Sequence, residues 1–318
     1  MKVLVYGSRG WIGAMMVDAL RRAGHLVVMG QARLNNIDDL FSELDMHKPD
    51  RVFSSTGRTH GTHSDGKVYT TIDYLELPGN LRVNTRDNLV GPLNLAHACK
   101  QRDIKMTYMG TGCIFVYDDE HRLPADAAVC GAAQIDCSDV KGFTEDDEPN
   151  FFGSGYSTVK GNTDTLLHQY SQHVLNLRIR MPISDGRNPR DFIRKITTYE
   201  RICSIANSMT VLEEFLPIAV DMIASGETGT YNMCNPGVIT HNQILDMYRE
   251  RVDKTFTYRN FSEEEQAEIL LSGRSNNYLD TSKLEKYCTE RSLRLTGIYD
   301  AVGRVIDRLA ARTDVSSK

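Results

Sequence analysis

Short apolar runs alternate with amphipathic stretches through the first 180 residues of the chain. Residues 2–6 form a continuous apolar run typical of a buried strand, and a helical period follows over residues 15–22. The same alternation predicts strands at 25–29, 52–55, 105–109 and 174–180, and helices at 37–46, 84–100 and 156–170. Strands separated by helices pair in parallel with right-handed crossovers. We therefore predict an α/β fold with a doubly wound parallel sheet.

The pattern loosens beyond Pro182. Helices are predicted near 211–224, after residue 242, and at 262–271 and 297–311, with a short strand at 229–234. We predict a first domain of residues 1–183 joined by a returning segment around 205–240, and a smaller C-terminal domain made of 184–204 and 241–318. Two polar stretches, 59–81 and 117–151, are long for connections, and loops of that length often form lids or binding loops.

Composition excludes several classes of function. The 318 residues carry 37 Lys plus Arg against 42 Asp plus Glu, with a net charge of -5, and no basic block is present. Nucleic-acid and anionic-membrane binding need clustered cations and are therefore disfavoured. No apolar run is long enough to span a membrane and the N-terminus lacks a secretory pattern, so a cytoplasmic protein is predicted.

Neither a disulfide framework nor a metal site is predicted. The seven cysteines are scattered without CxxC spacing, which fits a reducing compartment. Cys130 and Cys137 would pair only in an oxidising one. His60 and His63 have a spacing that a metal could use, but no carboxylate or cysteine lies nearby in the sequence, and we interpret them as residues of a flexible loop.

Glycines follow the first strand at regular spacing. Gly7, Gly10 and Gly13 lie between strand and helix, where they allow a tight turn and close approach of a pyrophosphate to the helix N-terminus. No acid follows the second strand to bind a ribose 2'-hydroxyl. Arg9 and Arg33 suit the extra phosphate of NADP instead, because a guanidinium binds phosphate in bidentate fashion. The alternative is that both arginines are solvated surface residues.

Tyr156 and Lys160 lie four residues apart and project from one face of a predicted helix. A nearby ammonium lowers the pKa of a phenol from its usual ~10, which suits an acid or base. With Thr111 at a strand end, these residues resemble the extended short-chain dehydrogenase/reductase family. The resemblance implies a Rossmann fold and catalysis by Thr111, Tyr156 and Lys160, with Asn88 supporting the lysine.

The family resemblance also implies which residues contact the cofactor, NADPH. These are Gly7, Arg9, Gly10, Trp11, Ile12, Gly13, Arg33, Ser55, Thr56, Gly57, Asn88, Tyr156, Lys160, Met181 and Ile183.

Five further segments are similar to one subgroup, the nucleotide-rhamnose synthases. They are residues 109–115, 178–184, 207–210, 235–237 and 274–277. This resemblance implies a bifunctional 3,5-epimerase/4-reductase that converts UDP-4-keto-6-deoxyglucose, or its dTDP form, to nucleotide-L-rhamnose. The residues implied in substrate binding are Thr111, Cys113, Asn207, Arg274 and Asn277.

In this subgroup Cys113 and Lys195 are implied as the proton carriers of epimerisation. A C4 ketone acidifies the protons at C3 and C5, so one group must remove a proton and another must return it. A thiol serves either purpose when its neighbours tune its pKa. The alternatives are a small buried hydrophobe for Cys113 and a solvated side chain for Lys195, with Arg194 as a competitor.

Two other functions remain open at this point. One is a reductase that relies on a separate epimerase. The other is a non-catalytic NADP-binding regulatory subunit, which would be free to lose the Tyr/Lys pair that this chain retains. The implied partner is a nucleotide sugar, and a homodimer is compatible with the sequence.

Overall fold

The computed structural model describes residues 1–123 and 134–316. Its strands, in chain order, are β1 (Lys2–Tyr6), β2 (Leu26–Met29), β3 (Arg51–Ser54), β4 (Gly61–Thr62), β5 (Val68–Tyr69), β6 (Lys105–Thr111), β7 (Val174–Ile179), β8 (Arg201–Ile202), β9 (Gly229–Asn232) and β10 (Arg259–Asn260). Its α-helices are α1 (Trp11–Arg22), α2 (Ile37–His47), α3 (Asn80–Thr85), α4 (Gly91–Gln101), α5 (Gly155–Leu167), α6 (Phe192–Ile196), α7 (Leu212–Ser225), α8 (His241–Arg251), α9 (Glu263–Ile269), α10 (Ser282–Glu290) and α11 (Ile298–Ser316).

Six strands form one parallel sheet in the order β2-β1-β3-β6-β7-β9. The predicted doubly wound parallel sheet is confirmed. The strand order reverses between β1 and β3, and ligands of such sheets bind outside the carboxyl ends of the strands at this switch point. The loops that follow β1 and β3 are therefore the first place to look for a site.

Two apolar cores cover the two faces of the sheet. On one face α1, α7 and α10 contribute Met16, Phe215 and Tyr287. On the other, α2 and α4 contribute Leu40 and Leu95. Helix α10 thus packs on the sheet, although the sequence-based division places its residues in the C-terminal domain; that division stays a prediction.

A third core lies beyond the end of β7. It joins α6, α8 and α11 through Ile193, Leu245 and Ile306, and it begins at Ile183, which forms an isolated parallel bridge with Val211. This core supports the segment that carries Lys195. This segment contains the short helix α6, and the Asp191 carboxylate caps it by accepting from the Arg194 N–H.

The first long polar stretch is ordered around short elements. It contains the β4–β5 hairpin and a 3₁₀ helix (Ile72–Glu76). A π-helical turn (Arg86–Val90) then joins α3 to α4. Part of the second long stretch, with Cys130, lies outside the described residues. No helix among the residues described is long and apolar enough to cross a membrane.

Candidate active site

The glycine loop after β1 forms a backbone cradle. Gly7 has a φ of +79°, a region that L side chains rarely adopt, and a Cβ on Gly13 would lie 2.1 Å from the Gly7 carbonyl oxygen. Helix α1 begins after Gly10 without a side-chain cap, so its first N–H groups remain available to an anion. Trp11 and Ile12 pack against the sheet core. This arrangement fits the pyrophosphate of a dinucleotide.

The loop after β3 forms the other wall of the crevice. A Cβ on Gly7 would lie 2.7 Å from Ser55 Oγ, so only a glycine permits this approach. The Thr56 hydroxyl is 2.8 Å from Ser54 Oγ. Gly57 lies against Asn88, whose Oδ1 would be 3.0 Å from an added Cβ. The predicted cofactor residues of β1 and β3 therefore lie together.

Asn88 has a different contact from the one expected. Its side chain accepts from the Arg58 N–H (2.8 Å) and donates to the Arg58 carbonyl (2.8 Å) and to Asn84 Oδ1 (2.8 Å). Its own carbonyl accepts from the Thr163 hydroxyl (2.6 Å). The Asn88 side chain thus supports the loop after β3, and its support of Lys160 stays a prediction.

Both arginines assigned to the 2'-phosphate are exposed at the end of β2. Arg9 Nη2 donates to Gln31 Oε1 at 3.3 Å. The nearby carboxylate of Glu43 is buried, and it accepts from the N–H groups of Gln31 (2.7 Å) and Ala32 (3.0 Å). The Glu43 carboxylate is thus held inside the fold by the backbone, whereas Arg9 and Arg33 are exposed to solvent.

Thr111, Cys113, Tyr156 and Lys160 converge at the carboxyl end of β6. The Cys113 N–H donates to Thr111 Oγ1 at 3.1 Å, and the Thr111 hydroxyl is within hydrogen-bonding reach of Tyr156. Lys160 lies one helical turn beyond Tyr156 on α5. The Cys113 thiol is partly exposed, and a negative charge on it would raise the pKa of both Tyr156 and Lys160. The three side chains therefore lie close to one another.

Burial controls the protonation of this group. It raises the pKa of Tyr156 to about 12, although the Lys160 ammonium acts in the opposite direction. Burial also lowers the pKa of Lys160, while Tyr156 and Asp164 favour its charged form. The prediction that the ammonium brings the phenol pKa below its ordinary value is wrong here, because burial outweighs the charge. Tyr156 therefore carries its proton at neutral pH.

A second cluster, of cations, surrounds Lys195. Burial and the charges of Arg190 and Arg274 lower the pKa of Lys195. Arg190 Nη2 lies 2.5 Å from Nε2 of His60, which belongs to the first long polar stretch. Sequence reasoning placed His60 in a flexible loop and did not single out Arg190, since the two residues come together across 130 residues of chain.

Arg274 is the member of this cluster with a carboxylate partner. Its Nη2 lies 2.8 Å from Asp73 Oδ2. Although burial acts against ionisation, hydrogen bonds from Thr71 and Arg274 bring the pKa of Asp73 down to about 2. The Gly273 N–H donates to the Gly153 carbonyl (2.8 Å), just before α5. This contact places Arg274 beside the loop that leads to Tyr156.

Asn207 and Asn277 lie behind the Cys113 loop. Both are fully buried. Asn207 Oδ1 accepts from Arg180 Nη2 (2.7 Å) and from the Asn277 N–H (2.9 Å). Asn277 Nδ2 donates to the carbonyls of Gly112 (3.0 Å) and Phe115 (2.9 Å). Their amides hold the Cys113 loop in place, which corrects the prediction that they contact substrate.

Met181 and Ile183 follow β7. Met181 is partly exposed and has a φ of +37°. Ile183 is fully buried, its N–H donates to Thr210 O (2.8 Å) and its carbonyl accepts from Leu212 (2.8 Å). Of the two, only Met181 has a side chain that a ligand in the crevice can reach. Among the described residues, no group of three or more His, Cys, Asp or Glu is placed to hold a metal.

Several known proteins are similar to this chain. Residues 3–134 match the profile of the NAD dependent epimerase/dehydratase family. The chain is 46% identical over 305 residues, 96% of its length, to protein L780 of Acanthamoeba polyphaga mimivirus, and covers 99% of that protein. The crystal structure of the L780 UDP-rhamnose synthase superposes with a TM-score of 0.87 over 97% of this chain and 99% of that one, at 44% identity.

A second relative comes from Arabidopsis thaliana. It is the bifunctional dTDP-4-dehydrorhamnose 3,5-epimerase/dTDP-4-dehydrorhamnose reductase, 40% identical over 284 residues. The match covers 89% of this chain and 86% of the plant protein.

Proposed function

This chain belongs to the NAD dependent epimerase/dehydratase family, within its nucleotide-rhamnose synthase group, and we propose that it makes nucleotide-L-rhamnose. Its substrate is UDP-4-keto-6-deoxy-D-glucose or the dTDP form, which it epimerises at C3 and C5 and then reduces at C4 with NADPH. The observation that carries this proposal is the position of the Cys113 thiol beside Thr111, Tyr156 and Lys160.

One oxyanion site serves both half-reactions. Epimerisation develops an enolate and reduction develops an alkoxide, and both place negative charge on the C4 oxygen. Thr111 donates a hydrogen bond to that oxygen, and Tyr156, protonated at neutral pH, supplies its proton. Lys160 stabilises the charge and holds the cofactor ribose. Reduced nicotinamide, when bound, supplies the hydride to C4.

Two proton carriers from different elements serve the epimerisation. Lys195 lies on α6, and its lowered pKa favours the neutral amine, which accepts a proton from carbon. Cys113 follows β6 and returns a proton from its thiol. Such an arrangement, with one carrier on each side of the sugar ring, exchanges the proton and inverts the carbon. This favours the bifunctional enzyme over a reductase that relies on a separate epimerase.

The cation cluster suits the diphosphate of a nucleotide sugar. Arg190 makes no ion pair with any carboxylate of the described residues, so its charge is open to an anionic ligand, whereas Lys195, with its lowered pKa, is kept for proton transfer. Arg274, held by Asp73, presents its guanidinium next to them. We assign the diphosphate to this cluster, with the sugar extending toward Cys113.

A direct assay tests the proposed reaction. Purified protein with NADPH and UDP-4-keto-6-deoxyglucose is expected to consume NADPH and yield UDP-L-rhamnose, identified by the configuration of the released sugar. The dTDP substrate, run in parallel, gives the base preference. A 6-deoxyhexose with unchanged C3 and C5 would contradict the epimerase and leave a reductase. No turnover in spite of NADPH binding would favour the regulatory subunit.

Cofactor selectivity tests the two arginines. We expect kcat/KM with NADPH to exceed that with NADH at least about tenfold. The reason is that the 2'-phosphate of NADPH would accept hydrogen bonds from charged guanidinium groups, and a hydrogen bond to a charged group contributes that much. Arg33→Ala and Arg9→Ala should remove most of this preference by raising the KM for NADPH. Arg22→Ala, at the exposed end of α1, is the matched control and should leave the preference intact. Equal use of both cofactors by the wild type would refute the assignment.

A further inference from the structure

Tyr108 is a buried tyrosine of β6 that lies three residues before Thr111. Only 1% of it is exposed, and its ring packs in the core between the sheet and helices α2, α4 and α5. The hydroxyl of a buried tyrosine normally requires a hydrogen-bond partner. Here the partner is Lys160, whose Nζ donates to Tyr108 Oη. The ammonium also lies 4.5 Å from the centroid of the Tyr108 ring.

The other groups near Lys160 act through their charge. Asp164, one turn further along α5, accepts from Arg178 Nε (2.9 Å) and Nη2 (2.6 Å) and from Asn176 Nδ2 (2.6 Å). The Asp164 carboxylate is thus held by these donors. Within the described part of the chain, Tyr108 is the hydrogen-bond acceptor for the Lys160 ammonium.

The Tyr108 hydroxyl can accept this hydrogen bond without losing its own proton. Burial, with the charge of Asp164, raises its pKa, so the phenol stays neutral. A neutral hydroxyl accepts from an ammonium and favours its charged form without neutralising it. One N–H of Lys160 then donates to Tyr108 in the interior. The other two N–H groups are left to face the cofactor ribose and Tyr156.

We propose that Tyr108 is a positioning residue: its hydroxyl holds the Lys160 ammonium charged and aimed between Tyr156 and the cofactor ribose. This rests on the proposed function of Lys160. Loss of the hydroxyl lets the lysine side chain rotate and lowers its pKa. Cofactor binding and C4 reduction should then weaken together, with little effect on recognition of the nucleotide sugar.

The test is Tyr108→Phe, which removes one oxygen and keeps the ring. We expect kcat for reduction to fall about tenfold and the Kd of NADPH to rise, since a hydrogen bond to a charged group is lost. The KM for the nucleotide sugar should not change. The lost acceptor favoured the charged form of Lys160. As the pH is raised, NADPH affinity should therefore begin to fall at a lower pH in the variant than in the wild type. A purely structural defect would lower affinity equally at every pH.

Tyr231→Phe is the matched control. Tyr231 is a tyrosine of the same sheet, on β9, with the Lys283 ammonium 4.2 Å from its ring centroid and its hydroxyl 3.1 Å from Glu227 Oε1. This variant should behave as the wild type. Tyr108→Phe in a Lys160→Met background should raise the Kd of NADPH no further, because the partner is already absent.

Three results would overturn the proposal: wild-type kcat and Kd in Tyr108→Phe, an unshifted pH dependence, or an additive loss in the double variant. If Tyr108→Phe does not fold, the Kd of NADPH for Lys160→Met tests the proposal instead. A Kd equal to that of the wild type would show that Lys160 does not bind the cofactor, and Tyr108 would then have no side chain to position. A wild type that binds NADPH but forms no rhamnose would contradict the proposed function alone. The ratio of the Kd of NADPH for Tyr108→Phe to that for the wild type would still test the role of Tyr108.

Discussion

Replacing Tyr156 by phenylalanine is expected to abolish reduction at C4 while NADPH still binds. The change removes the proton donor and keeps the ring that packs at the start of α5. Loss of a general acid typically costs about 10²- to 10⁴-fold in rate. Oxidation of NADPH, followed by its absorbance in the presence of the nucleotide sugar, measures the rate, and titration of NADPH measures the affinity.

Two further variants locate the effect. Tyr231→Phe, far along the sheet on β9, should reduce normally, which excludes a general effect of removing a buried phenol. Lys160→Ala should weaken both cofactor binding and turnover, because we propose that the ammonium binds the cofactor ribose as well as tuning Tyr156. Near-normal reduction by Tyr156→Phe would refute the whole Thr111, Tyr156 and Lys160 assignment.

The sheet was predictable because its strands are local apolar runs. Residues 2–6 are buried on both faces and therefore read as continuous hydrophobic sequence. Helix α10 escaped prediction because its apolar face consists of only three spaced residues, Leu284, Tyr287 and Cys288, in a polar segment. The π-helical turn at Arg86–Val90 leaves no periodic signal, since its i→i+5 hydrogen bonds widen only a single turn of helix.

The site was predictable only where a motif is local. The glycine loop and the Tyr156/Lys160 pair depend on spacing along one element, and the structure brings them to the same edge of the sheet. Asn207 and Asn277 were assigned to substrate binding because a sequence resemblance matches residue types but does not show whether their side chains are buried. Tyr108 and Arg190 were missed since their partners, Lys160 and His60, lie 52 and 130 residues away.

Replacing Cys113 by alanine is expected to collapse formation of rhamnose while NADPH binds normally. The thiol is assigned to proton traffic at C3 and C5, and the change leaves the glycine loop and Lys160 untouched. In heavy water the wild type should place deuterium at both carbons, because each loses its original proton before reduction. The variant should lose most of this exchange, by about 10²- to 10⁴-fold for loss of a general acid or base.

The sugar that the variant still makes is the most informative product. In the proposed mechanism reduction depends on Thr111 and Tyr156, so residual turnover should yield a 6-deoxyhexose whose C3 or C5 retains its original configuration. Cys137→Ala is the control, because Cys137 is also a free, partly exposed thiol. Normal deuterium incorporation and normal rhamnose yield in Cys113→Ala would reduce Cys113 to a packing residue. The group that returns the proton during epimerisation would then be unidentified, with Lys195 as the remaining proposed carrier.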